Sequence, residues 1–369
     1  MDILDIPGYK KRARTLLKTP PPFSLIDEFK KQINDFITTM CDEKSDGIPH
    51  YLCQFDKTHK KTGDAYVLNS TFFKDKKLLG EGAFGKVYDV GLYDVELWTI
   101  GTKSDTVHDI IIKTIKLGNE LDSIVESYIN FVLINTIIIN NPSISIGLVI
   151  TFGLFYCGKK NDEFCMDADR KEITENKDIF IVQEKKNART LRELRDKDKT
   201  FVFTKGMLKE LFEILVILEE NGIYHSDLNT RNILIDNETK KLYLIDFGLA
   251  SFMFNGNRYR QREISYFNDH LNPKGVCSAF NDFFSIYRFL LEFNQKLFAE
   301  ISPIIQQIFD EFNPKPLESI VNMCYPYSHY LKKVEIAYER TSTINLKVYD
   351  KYTMRKIYDM LCSSVFQAQ

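Results

Sequence analysis

The chain has 369 residues, enough for one large domain or two modest ones, each with its own core. Hydrophobic residues make up 44% and charged residues 27%, an ordinary balance for a soluble globular protein. The formal net charge of −2 excludes a global electrostatic attraction to nucleic acid or to a membrane surface. Seven cysteines form no CxxC pair and no spaced metal set, which fits a reducing, intracellular setting better than a disulfide framework.

The N-terminal MDILDIPGYKKRARTLLK carries two acids and no apolar run, so it does not read as a secretory signal. Its basic cluster (Lys10, Lys11, Arg12, Arg14) reads as a solvated helix face, and the Pro20–Pro22 run as the start of a stiff connection. Residues 1–70 are expected to be an extension of unknown role, docking a partner or bracing the neighbouring strands. From Phe72 the character changes. KKLLGEGAFGKVYDVGLY alternates apolar and small residues around a glycine cluster, which predicts strand, tight turn, strand. IIIKTIK (110–116) is β-branched and predicts another strand, and residues 119–139 predict a helix.

Residues 127–158 contain no charged side chain, a length that could mimic a membrane span. Asn130, Asn135, Asn140, Asn141 and Pro142 interrupt it, so a helix followed by buried strands explains it better. GLVITFGLFY and DIFIVQEK predict two more strands. GMLKELFEILVILEENG (206–222) then shows helical spacing and a closing glycine. A strand-rich first part and a helix-rich second part predict an α+β protein with two lobes.

The chemistry-bearing residues run in the same order. Gly80-Glu81-Gly82-Ala83-Phe84-Gly85-Lys86-Val87 gives GxGxxGxV, in which glycines let backbone N–H groups approach phosphate oxygens. A dinucleotide-binding glycine turn would open a helix, whereas GKVYDVGLY continues as a strand. Lys113 ends the apolar run Ile110–Ile112; a lone lysine there is ordinarily a snorkelling surface residue. After a phosphate-cradling hairpin, a phosphate contact is the better reading, and Glu126 or Glu120 of the next helix would hold the ammonium, with Glu126 preferred. In His225-Ser226-Asp227-Leu228-Asn229-Thr230-Arg231-Asn232, Asp227 is suited to accept a hydroxyl proton and Asn232 to give Mg²⁺ a neutral oxygen. Leu242–Ile245 predicts a buried strand running into Asp246-Phe247-Gly248, where a carboxylate suits a hard cation. Either acid alone would read as a turn or cap residue.

Over most of residues 75–300 the sequence resembles the eukaryotic protein kinase family. GEGAFGKV resembles the Gly-rich loop, Lys113 the strand lysine, His225–Asn232 the catalytic loop, and Asp246–Gly248 the DFG motif. The resemblance implies a bilobal fold: a small antiparallel sheet with one helix at about 71–185, and a larger, mainly helical lobe at about 186–369. It implies ATP and Mg²⁺ as cofactors, with Leu79 to Val87 and Lys113 on the phosphates and Asn232 and Asp246 on the metal. It places Gln183 at the gatekeeper position, Glu184 and Lys186 at the adenine, and Asp282 as an anchor for the catalytic-loop backbone.

Two departures stand out. Ser226 replaces the arginine that pairs with a phosphorylated activation loop in many kinases, which implies independence from that switch. Asn229 replaces the lysine typical of serine/threonine kinases, and Arg231, at the offset used by tyrosine kinases, is the candidate for its charge. No APE string precedes Asp282. Serine/threonine acceptors in a protein substrate are the expectation, with a pseudokinase scaffold and a small-molecule phosphotransferase as alternatives. The Ile, Asn, Lys, Phe and Tyr content resembles kinases of large DNA viruses with A/T-rich genomes, which would place the chain in host cytoplasm or in virions. No nucleic-acid partner is expected.

Overall fold

In the computed structural model the described residues are 31, 61–62, 65–66, 77–82, 85–99, 102–115, 126–140, 147–156, 179–254, 257–260, 279–312 and 352–367. The basic cluster, the Pro20–Pro22 run, Ala83, Phe84, Glu120 and residues 261–278 lie outside them. The chain divides into two compact units between Asn187 and Ala188.

The first unit is a seven-stranded sheet. Its strands are β1 (Lys61–Thr62), β2 (Ala65–Tyr66), β3 (Lys77–Gly82), β4 (Gly85–Thr99), β5 (Thr102–Ile115), β6 (Thr151–Tyr156) and β7 (Ile179–Glu184). They lie in the order β1-β2-β6-β7-β5-β4-β3. The glycine cluster does close a strand pair, with Gly82 opposite Gly85 across an antiparallel ladder. β5 is longer than the strand expected at 110–116, because residues 102–109 continue the ladder against β4 out to Thr99 and Thr102. The sheet also departs from a purely antiparallel one. β2 joins β6 in parallel through Tyr66 and Phe155, so residues of the expected 1–70 extension form a sheet edge. No tight turn fixes the direction of that pairing, since β3, β4 and β5 all lie between the two strands in sequence.

Alternation decides what β5 presents to each side. Ile110, Ile112 and Thr114 are buried on one face, and Ile111 and Lys113 point to the other. Directly paired residues share a face, so Val87 of β4, Lys113 of β5 and Ile181 of β7 lie in one row. Ile111, Gln183 and Thr151 form the next row on the same side. A helix of this unit, α1, spans residues 126–140 and is π-helical over Tyr128–Ile134.

The second unit holds β8 (Ala188–Thr190), α2 (Leu191–Lys197), α3 (Lys205–Glu220), β9 (Ile223–Tyr224), β10 (Ile233–Asp236), β11 (Leu242–Leu244), β12 (Ser251–Phe254) and β13 (Asn257–Arg260). The helices α4 (Ala279–Phe293), α5 (Gln295–Phe312) and α6 (Met354–Leu361) complete its described part. Thr204 caps α3 by accepting from Met207 N–H at 3.2 Å. Leu208, Leu211, Phe212 and Leu215 recur at helical spacing and are buried, and the Phe212 ring meets Phe283 of α4 edge-on at 5.8 Å. The strand expected at Leu242–Ile245 is β11; its place in the three-stranded sheet β11-β10-β8, and the second sheet β13-β12-β9, were not expected, because strand partners carry no local signal.

Gly222 ends α3 at φ +76°, and a Cβ there would sit 2.9 Å from the Cβ of Met253. Met253 N–H in turn donates to the Gly222 carbonyl at 3.0 Å, next to the β9–β12 pairing of Tyr224 with Ser251 and Ile223 with Phe252. Gly222→Ala is therefore expected to lower unfolding stability by about 1–3 kcal/mol, read from urea denaturation.

Candidate active site

The catalytic loop enters from β9 and leaves into β10, and its backbone is fixed from below by one acid. Asp282, in the first turn of α4, is fully buried. Its carboxylate accepts from His225 N–H at 3.0 Å and from Ser226 N–H at 2.8 Å. Consecutive N–H groups can converge on one anion only if the backbone curls, and Ser226 does so at φ +62°. Ser226 is itself only 4% exposed, so the side chain that replaces the expected arginine points inward. The Asp282 carboxyl is raised to about 7: burial pushes it up most, the two N–H donors pull it down, and negative Asp227 and Glu219 push it up.

From that anchor the loop builds upward. The His225 ring places Nε2 3.0 Å from the Ile245 carbonyl and accepts Asp227 N–H at Nδ1, 3.3 Å away. Those two partners require the neutral tautomer with its proton on Nε2. The same ring packs on Phe247 at 4.9 Å. Asn232 donates its amide to the Asp227 carbonyl at 2.9 Å and to the Asp227 carboxylate at 3.0 Å. With both contacts on the NH₂ group, the Oδ1 carbonyl is oriented away from Asp227 as the oxygen suited to a cation. Ile245 N–H donates to the Asn232 carbonyl at 3.0 Å, which seats the Asp246 strand against the loop. Asp246 comes next at φ +64°, a strained backbone that turns its carboxyl out of the strand direction.

Asp227, Asn232 and Asp246 are thus brought together in the second unit. Asn229 has a local job: its amide donates to the Asp227 carbonyl and its oxygen accepts Arg231 N–H at 2.9 Å. The Arg231 side chain is exposed.

Lys113 and Glu126 belong to the first unit and are also brought together. Lys113 Nζ lies 2.6 Å from Glu126 Oε1, with the lysine side chain 12% exposed and the glutamate 0%. The glycine strands sit beside them. Thr114 Oγ1 accepts Lys86 N–H at 3.1 Å and pins β4 to β5, while Lys86 Nζ reaches Glu81 at 4.0 Å across the turn. Leu79 is 50% exposed, and a Cβ added at Gly80 would meet nothing within 4 Å. At the end of β7, Glu184 N–H donates to the Ile150 carbonyl and Lys185 N–H to the Asp109 carbonyl. The carboxylate of Glu184 holds Lys186 at 2.5 Å. Lys185 bridges Asp89 at 2.8 Å and Asp109 at 3.6 Å, and the Asp89 hydrogen bond raises the affinity of its ammonium for the proton.

The family profile described as Protein kinase domain matches residues 169–274. That span contains Gln183 to Lys186, the whole catalytic loop and Asp246–Gly248. Over that span the chain is similar to the protein kinase domain family. The match begins after the glycine strands and Lys113, so those residues rest on their own geometry. The sequence reading missed Asn130 and Asn135, treated there as interruptions of an apolar run. Two amides five residues apart in an uncharged helix were the available signal. Among the described residues, no helix is long and apolar enough to cross a membrane.

The Asp282 environment makes a pH prediction. A carboxyl raised to about 7 in the folded protein, but ordinary when unfolded, binds more protons in the folded state between about pH 4 and 7. Stability from this group therefore falls as pH rises through that window, by at most about 4 kcal/mol. Asp282→Asn is expected to flatten the pH dependence of the urea midpoint between pH 5 and 8. An unchanged slope would mean that Asp282 does not titrate there.

Proposed function

We propose that the chain is an ATP- and Mg²⁺-dependent protein kinase that transfers the γ-phosphate to serine or threonine hydroxyls of a protein substrate. The observation that carries this reading is the Lys113–Glu126 ion pair, a largely enclosed ammonium on the strand that pairs with the glycine strand β4, which suits a nucleotide-phosphate contact. Asp227, steadied by the Asn232 amide, receives the acceptor proton as the hydroxyl oxygen attacks in line. Asn232 Oδ1 and the Asp246 carboxylate are hard oxygen donors and would hold Mg²⁺, which supplies charge neutralisation at the phosphates when bound. Arg231, exposed two residues past Asn229, offers the cation that the loop otherwise lacks. Glu184 and Lys186 supply backbone groups for the adenine, and Leu79 to Val87 backbone N–H groups for the phosphates. The scattered cysteines support an intracellular, cytoplasmic place of work.

Transfer of labelled γ-phosphate to a generic protein acceptor tests the reading. Asp227→Asn is expected to lower the rate by roughly 10²–10⁴-fold. Equal labelling by both proteins would sink the enzyme reading in favour of a scaffold. Labelling of aminoglycosides, choline or sugars in preference to protein would favour a small-molecule phosphotransferase. Because a Cβ at Gly80 meets nothing, Gly80→Ala is expected to weaken ATP binding while leaving the melting temperature unchanged.

A further inference from the structure

Behind the Lys113–Glu126 pair lies a run of buried amides that neither the ion pair nor the nucleotide needs. Asn135 grips the backbone of Thr151 in both directions: its Nδ2 donates to the Thr151 carbonyl at 2.8 Å and its Oδ1 accepts Thr151 N–H at 3.1 Å. A side chain of α1 here completes a strand's hydrogen bonding at the start of β6. The Thr151 hydroxyl accepts from Gln183 Nε2 at 3.1 Å, and the same Nε2 reaches Asn130 Oδ1 at 3.4 Å. Asn130 Nδ2 then donates to the carbonyl of Glu126 at 2.9 Å. The path runs from the backbone of Glu126 through Asn130, Gln183 and Thr151 to Asn135, and so returns to the helix where it began.

Every link depends on strand register and helix pitch. Gln183 and Thr151 are opposite one another and share the Lys113 face, so the register aims them at α1. The π-helical stretch Tyr128–Ile134 supplies the helix side. Its i to i+5 repeat brings residues five apart onto one face, which is what Asn130 and Asn135 require. Glu126, Asn130, Asn135 and Thr151 are each at most 5% exposed. An unmet amide at that depth costs roughly 1–3 kcal/mol, so the network has few alternative arrangements that satisfy all its members.

We propose that Asn130, Asn135 and Gln183 are positioning residues: a polar latch that holds α1 against the sheet and keeps Glu126 on Lys113 without any external signal. The gatekeeper side chain thereby serves the helix. The inference rests on the proposed kinase reading for its functional meaning, while the latch itself is tested independently of turnover.

The test measures acetylation of Lys113 by a small amine-acylating reagent, read by peptide mass spectrometry, with Lys209, on α3 of the second unit, as the internal reference. Gln183→Met keeps the side-chain length and removes the donor, and Asn135→Ala removes the backbone grip. Both variants are expected to raise Lys113 acetylation about tenfold relative to Lys209, with ATP KM rising more than kcat falls. Gln183→Glu keeps one acceptor but no donor and is expected to behave as Gln183→Met does. Wild-type Lys113 reactivity in a folded Gln183→Met protein would overturn the latch, and that variant decides if Asn135→Ala fails to fold. If the wild-type protein transfers no phosphate and the variants still show the tenfold change, the kinase reading falls and the latch stands.

Discussion

One buried carboxylate organises the catalytic loop. Asp282 cannot satisfy both oxygens from water, so it takes two consecutive backbone N–H groups, and the loop must curl to deliver them. The curl puts Ser226 in the left-handed region and leaves the His225 ring where it bonds Ile245 and packs on Phe247. From there, Asn232 ties the loop to Asp227 and to the strand that ends at Asp246. Asp227, Asn232 and Asp246 are thus referred to a single point in the first turn of α4. The strain at Ser226 and Asp246 is held by surroundings that over-determine both residues.

In the sheet unit the equivalent constraint is register. Because paired residues share a face, the match of Val87, Lys113 and Ile181 puts the glycine strand, the lysine and the third strand in line. The same match sets Gln183 and Thr151 one row further on, facing the helix that carries Glu126. A slip of one residue in β5 would send Lys113 into the Ile110–Ile112 face and abolish the ion pair. The Asp89–Lys185–Asp109 bridge ties β4, β5 and the end of β7 together and resists such a slip.

Much of this was legible in the sequence, for reasons that differ by residue. The glycine hairpin, the strand lysine, the His225–Asn232 loop, the strand into Asp246 and the long helix α3 each carry a local signal in glycine placement, residue spacing or apolar period. The choice of Glu126 over Glu120 needed geometry, because helical spacing alone allowed both. The latch was out of reach: Gln183, Thr151 and Asn130 are polar residues whose partners lie up to 53 positions away, and period analysis counts them only as defects. The parallel β2–β6 edge and the full length of β5 were missed because pairing extends strands whose own residues have no strand pattern, such as Thr102 to Asp109. Arg231 was read as a charge donor, and the structure shows an exposed side chain whose backbone is set by Asn229.

The segment after Asp246 is tied to the catalytic loop by main-chain bonds, through Ser251 and Phe252 on β12 and Tyr224 and Ile223 on β9. Such bonds carry no net charge. An attachment built from a phosphate and an arginine weakens as counter-ions accumulate, with a Debye length of about 8 Å at physiological ionic strength, and a phosphatase can erase it. A ladder of amides offers neither handle. Its strength depends little on salt, and releasing Ser251 and Phe252 means peeling one strand from the other.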